Sequence, residues 1–558
     1  MKVSPVRYSR EEVVAENGVV AAGHEVVARI GVETMQRGGN AIDAAVVAAF
    51  AAQIAEIGMC GLGGNGIILV HSSDKGETTV FDDSTVPPAA ATPDMFEVLP
   101  GTGGFYGWDN VRDDANIVGH RSVAIPGTVA GLCAALDRYG TMDLATVLAP
   151  AIELADEGME IDRRTSVAIT SEMRYFDRFP ALGDLLLSDG LPPVPGTFWA
   201  PGDKLAYQEL AGSYRAIAAE GPDAFYEGDI ARAIAADMAD KGGILTYEDL
   251  ATYGSDIHEV DREGLSEYRG LKYAPGRSTF LAQVLNILQS FDLAELGPDS
   301  PAFLHVMLET MRRAWVNYFA YPREPGLLTP DYAVEVAGLI KAETVCRAGP
   351  VDPTPYQDRP AQIERGPSVP TGGNTTTLVS ADRQGNVVNL LTSLGNSFGS
   401  KVVVPGTGIV LNDHMCNFDP VSGRALSLGP TRRPPPGGHV PIFFRDGMPV
   451  LAVDAPGARR SMSGVLHVLV NCIDFGMGVQ AATEAPRVWA EALYDESFVD
   501  FRVLEPVRRD LERKGHTVVA MDPTTDGGFG RPTALSIDPS GLLHAGADPM
   551  YGTGVSGC

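Results

Sequence analysis

Residues 351–373 read VDPTPYQDRPAQIERGPSVPTGG, and residues 375–393 read TTTLVSADRQGNVVNLLTS. The first stretch is dense in proline and polar residues, which marks a linker or exposed loop. The second has two arms rich in β-branched and apolar residues around a turn at Asp382–Asn386, which predicts a β-hairpin. A long exposed loop running straight into a strand that begins with threonine constrains both fold and chemistry. If the chain is cut after Asn374, Thr375 becomes an N-terminus. A threonine hydroxyl is a poor nucleophile until a base takes its proton. A free α-amine, with an ordinary pKa of about 7.7–8.0, could be that base on the same residue. Threonine is also an ordinary strand residue, so this segment alone reads first as a polar strand edge without chemistry.

The rest of the chain supplies helices and sheets in layers. HEVVARIGVETMQRGGN is an amphipathic helix ended by Gly38–Gly39, and NAIDAAVVAAFAAQIAE is apolar all round, as a core helix is. GIILVHSS and TTVFDDS read as strands. Residues 126–291 read as mostly helical, as does 301–323. Later strands are expected in GTGIVLND, VPIFFRD, PVLAVDA and TALSIDPSGLLHAGADP, with helices in SGVLHVLVNCIDFG and VQAATEAPRVWAEA. The class is α/β.

Composition narrows the partners. A formal net charge of −28 argues against nucleic acid and anionic membranes. No secretory signal pattern opens the sequence, and six cysteines are scattered without paired spacing, so a cytoplasmic, reduced protein is expected. The ten histidines show no ligand spacing, so neither metal nor cofactor is expected. GLGGNG matches a dinucleotide-loop pattern but lies in the order helix, loop, strand, which is the wrong one. GNSFG matches a nucleophile elbow, yet strand and turn follow it instead of a helix. Cys416 reads as a buried small apolar residue.

Several blocks together resemble the γ-glutamyltranspeptidase family of N-terminal-nucleophile hydrolases. They are RGGNAIDAAVVAAF, GLGGNGIILV, GHRSVAIPGTVAGL, GPDAFYEGDIA, the 374–399 segment, DAPGARRS and EAPRVW, in the family order from about Ala21 to about Pro549. The resemblance implies a four-layer αββα fold and self-cleavage into a large chain, 1–374, and a small chain, 375–558. It further implies that Thr375 is the nucleophile, with Ser393 as the hydroxyl beside it, Thr377 in support, and Asp382 and Gly385–Asn386 ending and turning the first arm. Backbone N–H groups of Gly457 and Ala458, after Pro456, match the oxyanion-binding pair, with alanine in place of the second glycine.

The departures fall on the substrate clamp. The family's carboxylate-binding arginine aligns with Pro93, and its amine-binding acidic residue with Asn417. The preceding glutamine aligns with His414, the serine pair with Gly437–Gly438, and the asparagine after the second hydroxyl with Gly395, beside Asn396. The expected substrate is therefore a small acyl compound other than a normal γ-glutamyl one. Asn417 resembles the cephalosporin-acylase branch. Oxamate amidohydrolases and antibiotic-pathway enzymes that remove an oxalyl group by carbon–carbon hydrolysis are related branches. Arg432, Arg433, Arg459 and Arg460 are candidates for a carboxylate arriving from a new direction, Arg433 first among them. The rival readings are a true γ-glutamyl hydrolase or transferase with a relocated clamp, and a non-catalytic binding relative.

Overall fold

The computed structural model describes residues 9–102, 108–261, 265–276, 279–321, 324–360, 374–424, 426–430, 433, 438–490, 492, 495–526 and 529–558. Two seven-stranded sheets organise it, and within each every neighbouring pair is antiparallel. In one sheet the order is Gly554–Gly557, Gly18–Ala22, Asn374–Asp382, Val387–Gly395, Asn65–Ser72, Glu77–Asp82, Asp256–Glu259. In the other it is Val13–Ala15, Leu543–Ala547, Thr533–Ile537, Met448–Asp454, Ile442–Arg445, Leu271–Ala274, Ser266–Tyr268.

Strand alternation sets what each face buries. Val19, Ala21, Val379 and Ala381 share an apolar cluster with Ile442, Phe444, Ala452 and Leu535 of the other sheet. Their neighbours Val20, Ala22 and Leu378 join a different cluster with the helices Glu25–Gln36 and Ala41–Ala55. Phe443, Leu451 and Val453 pack instead with the helices Thr279–Leu288, Pro301–Ala320 and Ser461–Ile473. Ala41–Ala55 is buried at every position, as its composition predicts. Asn40 and Asp43 form a capping box at its start.

The expected hairpin is present, with Thr376 opposite Thr392 and Ser380 opposite Val388. The 126–291 stretch is mostly helical, as expected, but strands the sequence reading did not separate fall inside it. Asp256–Glu259, Ser266–Tyr268 and Leu271–Ala274 are sheet strands, the first with all four residues exposed on an edge. VQAATEAPRVWAEA is helical only over Val479–Glu484, because Pro486 follows and Val488–Trp489 turns into a strand. GTGIVLND contributes only Ile409–Val410, and most of the linker, 361–373, lies outside the described residues.

A buried ion pair ties the C-terminal part together. Arg487 and Asp548 are both fully buried and bonded to each other, and Arg487 Nη1 donates to Thr483 O at 2.7 Å. Arg487→Met leaves a carboxylate buried without its cation, and we expect it to cost about 3–5 kcal/mol. A denaturant midpoint checks this. Arg509→Ala, which removes the exposed pair with Glu505, should leave that midpoint in place.

Candidate active site

Asn374–Asp382 places Thr375 at the end of a central strand, where Thr375 and Thr377 project toward the second sheet and Thr376 toward the helices. Thr376 Oγ1 accordingly donates to Glu56 Oε2 at 2.5 Å, and Thr377 Oγ1 lies 3.4 Å from Thr533 Oγ1 of the second sheet. A register irregularity falls between Asn374 and Thr375. Beside it, Thr375 Oγ1 is 3.1 Å from Ser393 Oγ on the paired strand. Ser393 Oγ donates to Asn374 O at 2.8 Å and accepts from the Gly395 N–H at 3.0 Å. A hydroxyl has one proton, so with Ser393 donating to Asn374 O, the Thr375 hydroxyl donates to Ser393.

The turn after Met448–Asp454 carries Gly457 at φ +138° and Ala458 at φ +51°. Both are partly exposed, and neither N–H meets an acceptor among the described residues. Ala458 is held in the left-handed region that favours glycine. Arg531 bridges this turn to the nucleophile strand. Its backbone N–H donates to Pro456 O at 3.2 Å, and its Nη2 donates to Thr375 O at 2.9 Å. Glu56 is held by Arg164 at 2.6 Å.

On the other side of Ser393, residue 395 must be glycine. Its φ is +98°, and a Cβ there would lie 1.9 Å from Asp413 Oδ1. Asp413 accepts from the Asn396 backbone at 3.1 Å and from Asn396 Nδ2 at 2.5 Å, and burial raises its pKa to about 6. The Asn396 amide group is thus bound within the protein. His414 is buried and held neutral by desolvation, its pKa down at about 3, and its Nδ1 has no partner among the described residues. Met415 and Phe418 pack with Phe96, Ala91, Ala124 and Leu428 in an apolar cluster. Asn417 is partly exposed at the end of the turn His414–Asn417, and Pro93 is exposed. Burial raises the Cys416 thiol well above its ordinary pKa, so it stays protonated.

The arginine expectations change. Arg433 donates Nη1 to Asp82 O and Ser84 O, both at 3.2 Å, and Nη2 to Gly254 O at 3.1 Å. Its guanidinium fork is engaged within the protein by these main-chain carbonyls and by the Asp82 carboxylate, 3.8 Å away. Arg459 is buried with its guanidinium over the rings of Phe319 and Trp315, at 5.2 and 5.8 Å. Gly438 lies against Ile67 and Leu391, at φ +87°. Gly437 and Arg432 lie outside the described residues. Sequence reasoning missed Glu56, Asp413 and Arg531, which lie 319, 38 and 156 positions from Thr375 and carry no local motif.

Comparison with known proteins places the fold and the family. The crystal structure of cephalosporin acylase from Bacillus halodurans superposes with a TM-score of 0.85 at 26% identity, covering 100% of this chain and 99% of that one. The acylase ACY 1 proenzyme of Pseudomonas sp. (strain SE83) is 35% identical over 533 residues, 95% of this chain and 91% of the relative. The glutathione hydrolase proenzyme of Bacillus subtilis (strain 168) is 33% identical over 544 residues, 94% of this chain and 88% of the relative. Fold and relatives define an enzyme of the N-terminal-nucleophile hydrolase and acyltransferase class. The family model of gamma-glutamyltranspeptidase matches residues 27–558, and the chain belongs to that family.

Proposed function

We propose that the chain cuts itself between Asn374 and Thr375 and then hydrolyses an amide, or a related carbonyl bond, of a small acyl substrate other than an ordinary γ-glutamyl compound. The observation that carries this is the relay in which Thr375 Oγ1 meets Ser393 Oγ at 3.1 Å while Ser393 donates to Asn374 O at 2.8 Å. Attack of Thr375 Oγ1 on the Asn374 carbonyl carbon forms an ester bond as the C–N bond breaks. The departing nitrogen takes the proton, and Ser393 stabilises the carbonyl oxygen as its charge develops. Water then hydrolyses the ester, leaving a carboxylate on Asn374 and a free amine on Thr375. In turnover, that amine takes the Thr375 hydroxyl proton and passes it to the leaving group. Gly457 and Ala458 N–H groups receive the oxyanion.

The two pieces, 1–374 and 375–558, would stay together in a four-layer αββα sandwich, because both sheets contain strands from each piece. Among the described residues no helix is long and apolar enough to cross a membrane, and no group of three or more metal-ligating side chains gathers.

The substrate reading rests on the clamp positions. With Pro93 exposed, Asn417 neutral, His414 uncharged and the wall beside it apolar, little remains to hold an α-amine and α-carboxylate together. Likeness to chains named acylase proenzymes fits the same reading. The test is turnover of glutaryl- and γ-glutamyl-p-nitroanilide by the matured protein. We expect kcat/KM for the glutaryl compound to exceed the other by roughly tenfold or more, since an unmatched buried ammonium costs more than about 1.4 kcal/mol. A preference for the γ-glutamyl anilide would return the chain to a relocated-clamp transferase or hydrolase.

A further inference from the structure

We propose that Arg531 is a positioning residue that keeps the Thr375 α-amine neutral, and so able to act as a base, by holding a positive charge on the nucleophile's own carbonyl. This rests on the reading of Thr375 as the freed nucleophile. The contact is Arg531 Nη2 to Thr375 O at 2.9 Å, and cutting the 374–375 bond leaves that carbonyl in place. Nitrogen and carbonyl oxygen of one residue are three bonds apart, so the guanidinium lies within about 6 Å of the new amine. A like charge at that range disfavours the ammonium form.

The segment is built to hold this geometry. Gly530 has φ +42°, and a Cβ on it would come within 3.2 Å of Arg460 O. A Cβ on Gly457 would come within 3.1 Å of the Gly530 Cα. With the Arg531 N–H on Pro456 O, residues 530–531 are pressed against the oxyanion turn and the nucleophile at once.

The carboxylates that face Arg531, Glu56 and Asp548, each have another cation beside them. Glu56 is paired with Arg164 and hydrogen-bonded by Thr376. Asp548 is paired with Arg487, and Asp162 caps the N–H of Thr165 at 2.7 Å. Burial lowers the His24 pKa, and Tyr551, raised to about 12 by its burial, is neutral. Among the described residues no carboxylate pairs with Arg531, whose own pKa falls to about 10 through desolvation and the nearby Arg164, so it remains charged at neutral pH.

The experiment titrates the amine without a substrate. Carbamoylation of the Thr375 amine by cyanate, followed by mass spectrometry of the small polypeptide across pH, gives its midpoint. In the wild-type protein we expect that midpoint below the ordinary range of about 7.7–8.0. Arg531→Gln should raise it by about one pH unit, and Arg531→Lys, which keeps the charge, should restore most of the difference. The acid limb of kcat/KM on a chromogenic amide should move with it. A wild-type midpoint at or above the ordinary range overturns the proposal even if both variants stay uncut. So does a Gln variant that cleaves and titrates as wild type does. If the wild-type chain yields no polypeptide beginning at Thr375, it is the nucleophile reading that fails.

Discussion

Thr375→Ala should purify as one uncut polypeptide with no measurable turnover, while the wild-type chain runs as two on a denaturing gel. Alanine keeps the strand and its pairing with Val387–Gly395, so the fold should be retained and the thermal midpoint should move little. What it removes is the Oγ1 that attacks Asn374 and, after maturation, the substrate. Loss of a nucleophile costs on the order of 10^4–10^6-fold in rate, which takes turnover below detection. Thr375→Ser keeps a hydroxyl but drops the methyl that fixes its rotamer, so it should still cut, more slowly. N-terminal sequencing of the smaller band should begin at Thr375. An active, uncut wild-type chain would be incompatible with the mechanism, and an alanine variant that still cuts would place the nucleophile elsewhere.

Much of the architecture is legible in the sequence because its signals are local. The hairpin at 374–395 declares itself by two arms of β-branched and apolar residues around a Gly–Asn turn, and the helix Ala41–Ala55 by a nearly continuous apolar run after Asn40. The strands Gly18–Ala22 and Gly554–Gly557 are harder to read. They are short, and they become strands only because each pairs with a partner far away in sequence, Gly18–Ala22 with both Asn374–Asp382 and the C-terminus. The same holds at the site. Thr375 and Ser393, both in one hairpin, are named by the family resemblance, and the structure sets them 3.1 Å apart. Arg531 and Glu56 reach the neighbouring residues through the stacking of sheet on sheet and helix on sheet, which no local pattern encodes. Arg433 shows the converse. The sequence offers it as a candidate for a substrate carboxylate, but the loops around Asp82 and Gly254 present three carbonyls to which its fork donates.

Ser393→Ala should slow self-cleavage and turnover together, each by roughly 10^2–10^3-fold, the usual loss for one donor aimed at a developing oxyanion or at a nucleophile. The two effects share an atom but differ in its role. Before the cut, Ser393 Oγ donates to Asn374 O and receives the Thr375 hydroxyl. Once the cut chain end leaves, that proton has no carbonyl at 374–375 to serve and can be turned to Thr375 Oγ1, stabilising it as it loses its own proton to the amine. The Gly395 N–H at 3.0 Å fixes the oxygen in both states, and Asp413, filling the space where a side chain at 395 would go, fixes Gly395. Ser393→Thr keeps the hydroxyl and should retain most of both rates, whereas Ser393→Cys, a weaker donor, should resemble alanine. The rates are measurable separately, by the decay of the precursor band and by turnover of the fraction already cut. Equal maturation rates for wild type and Ser393→Ala would remove Ser393 from the cleavage step, and normal turnover by cut Ser393→Ala would remove it from catalysis.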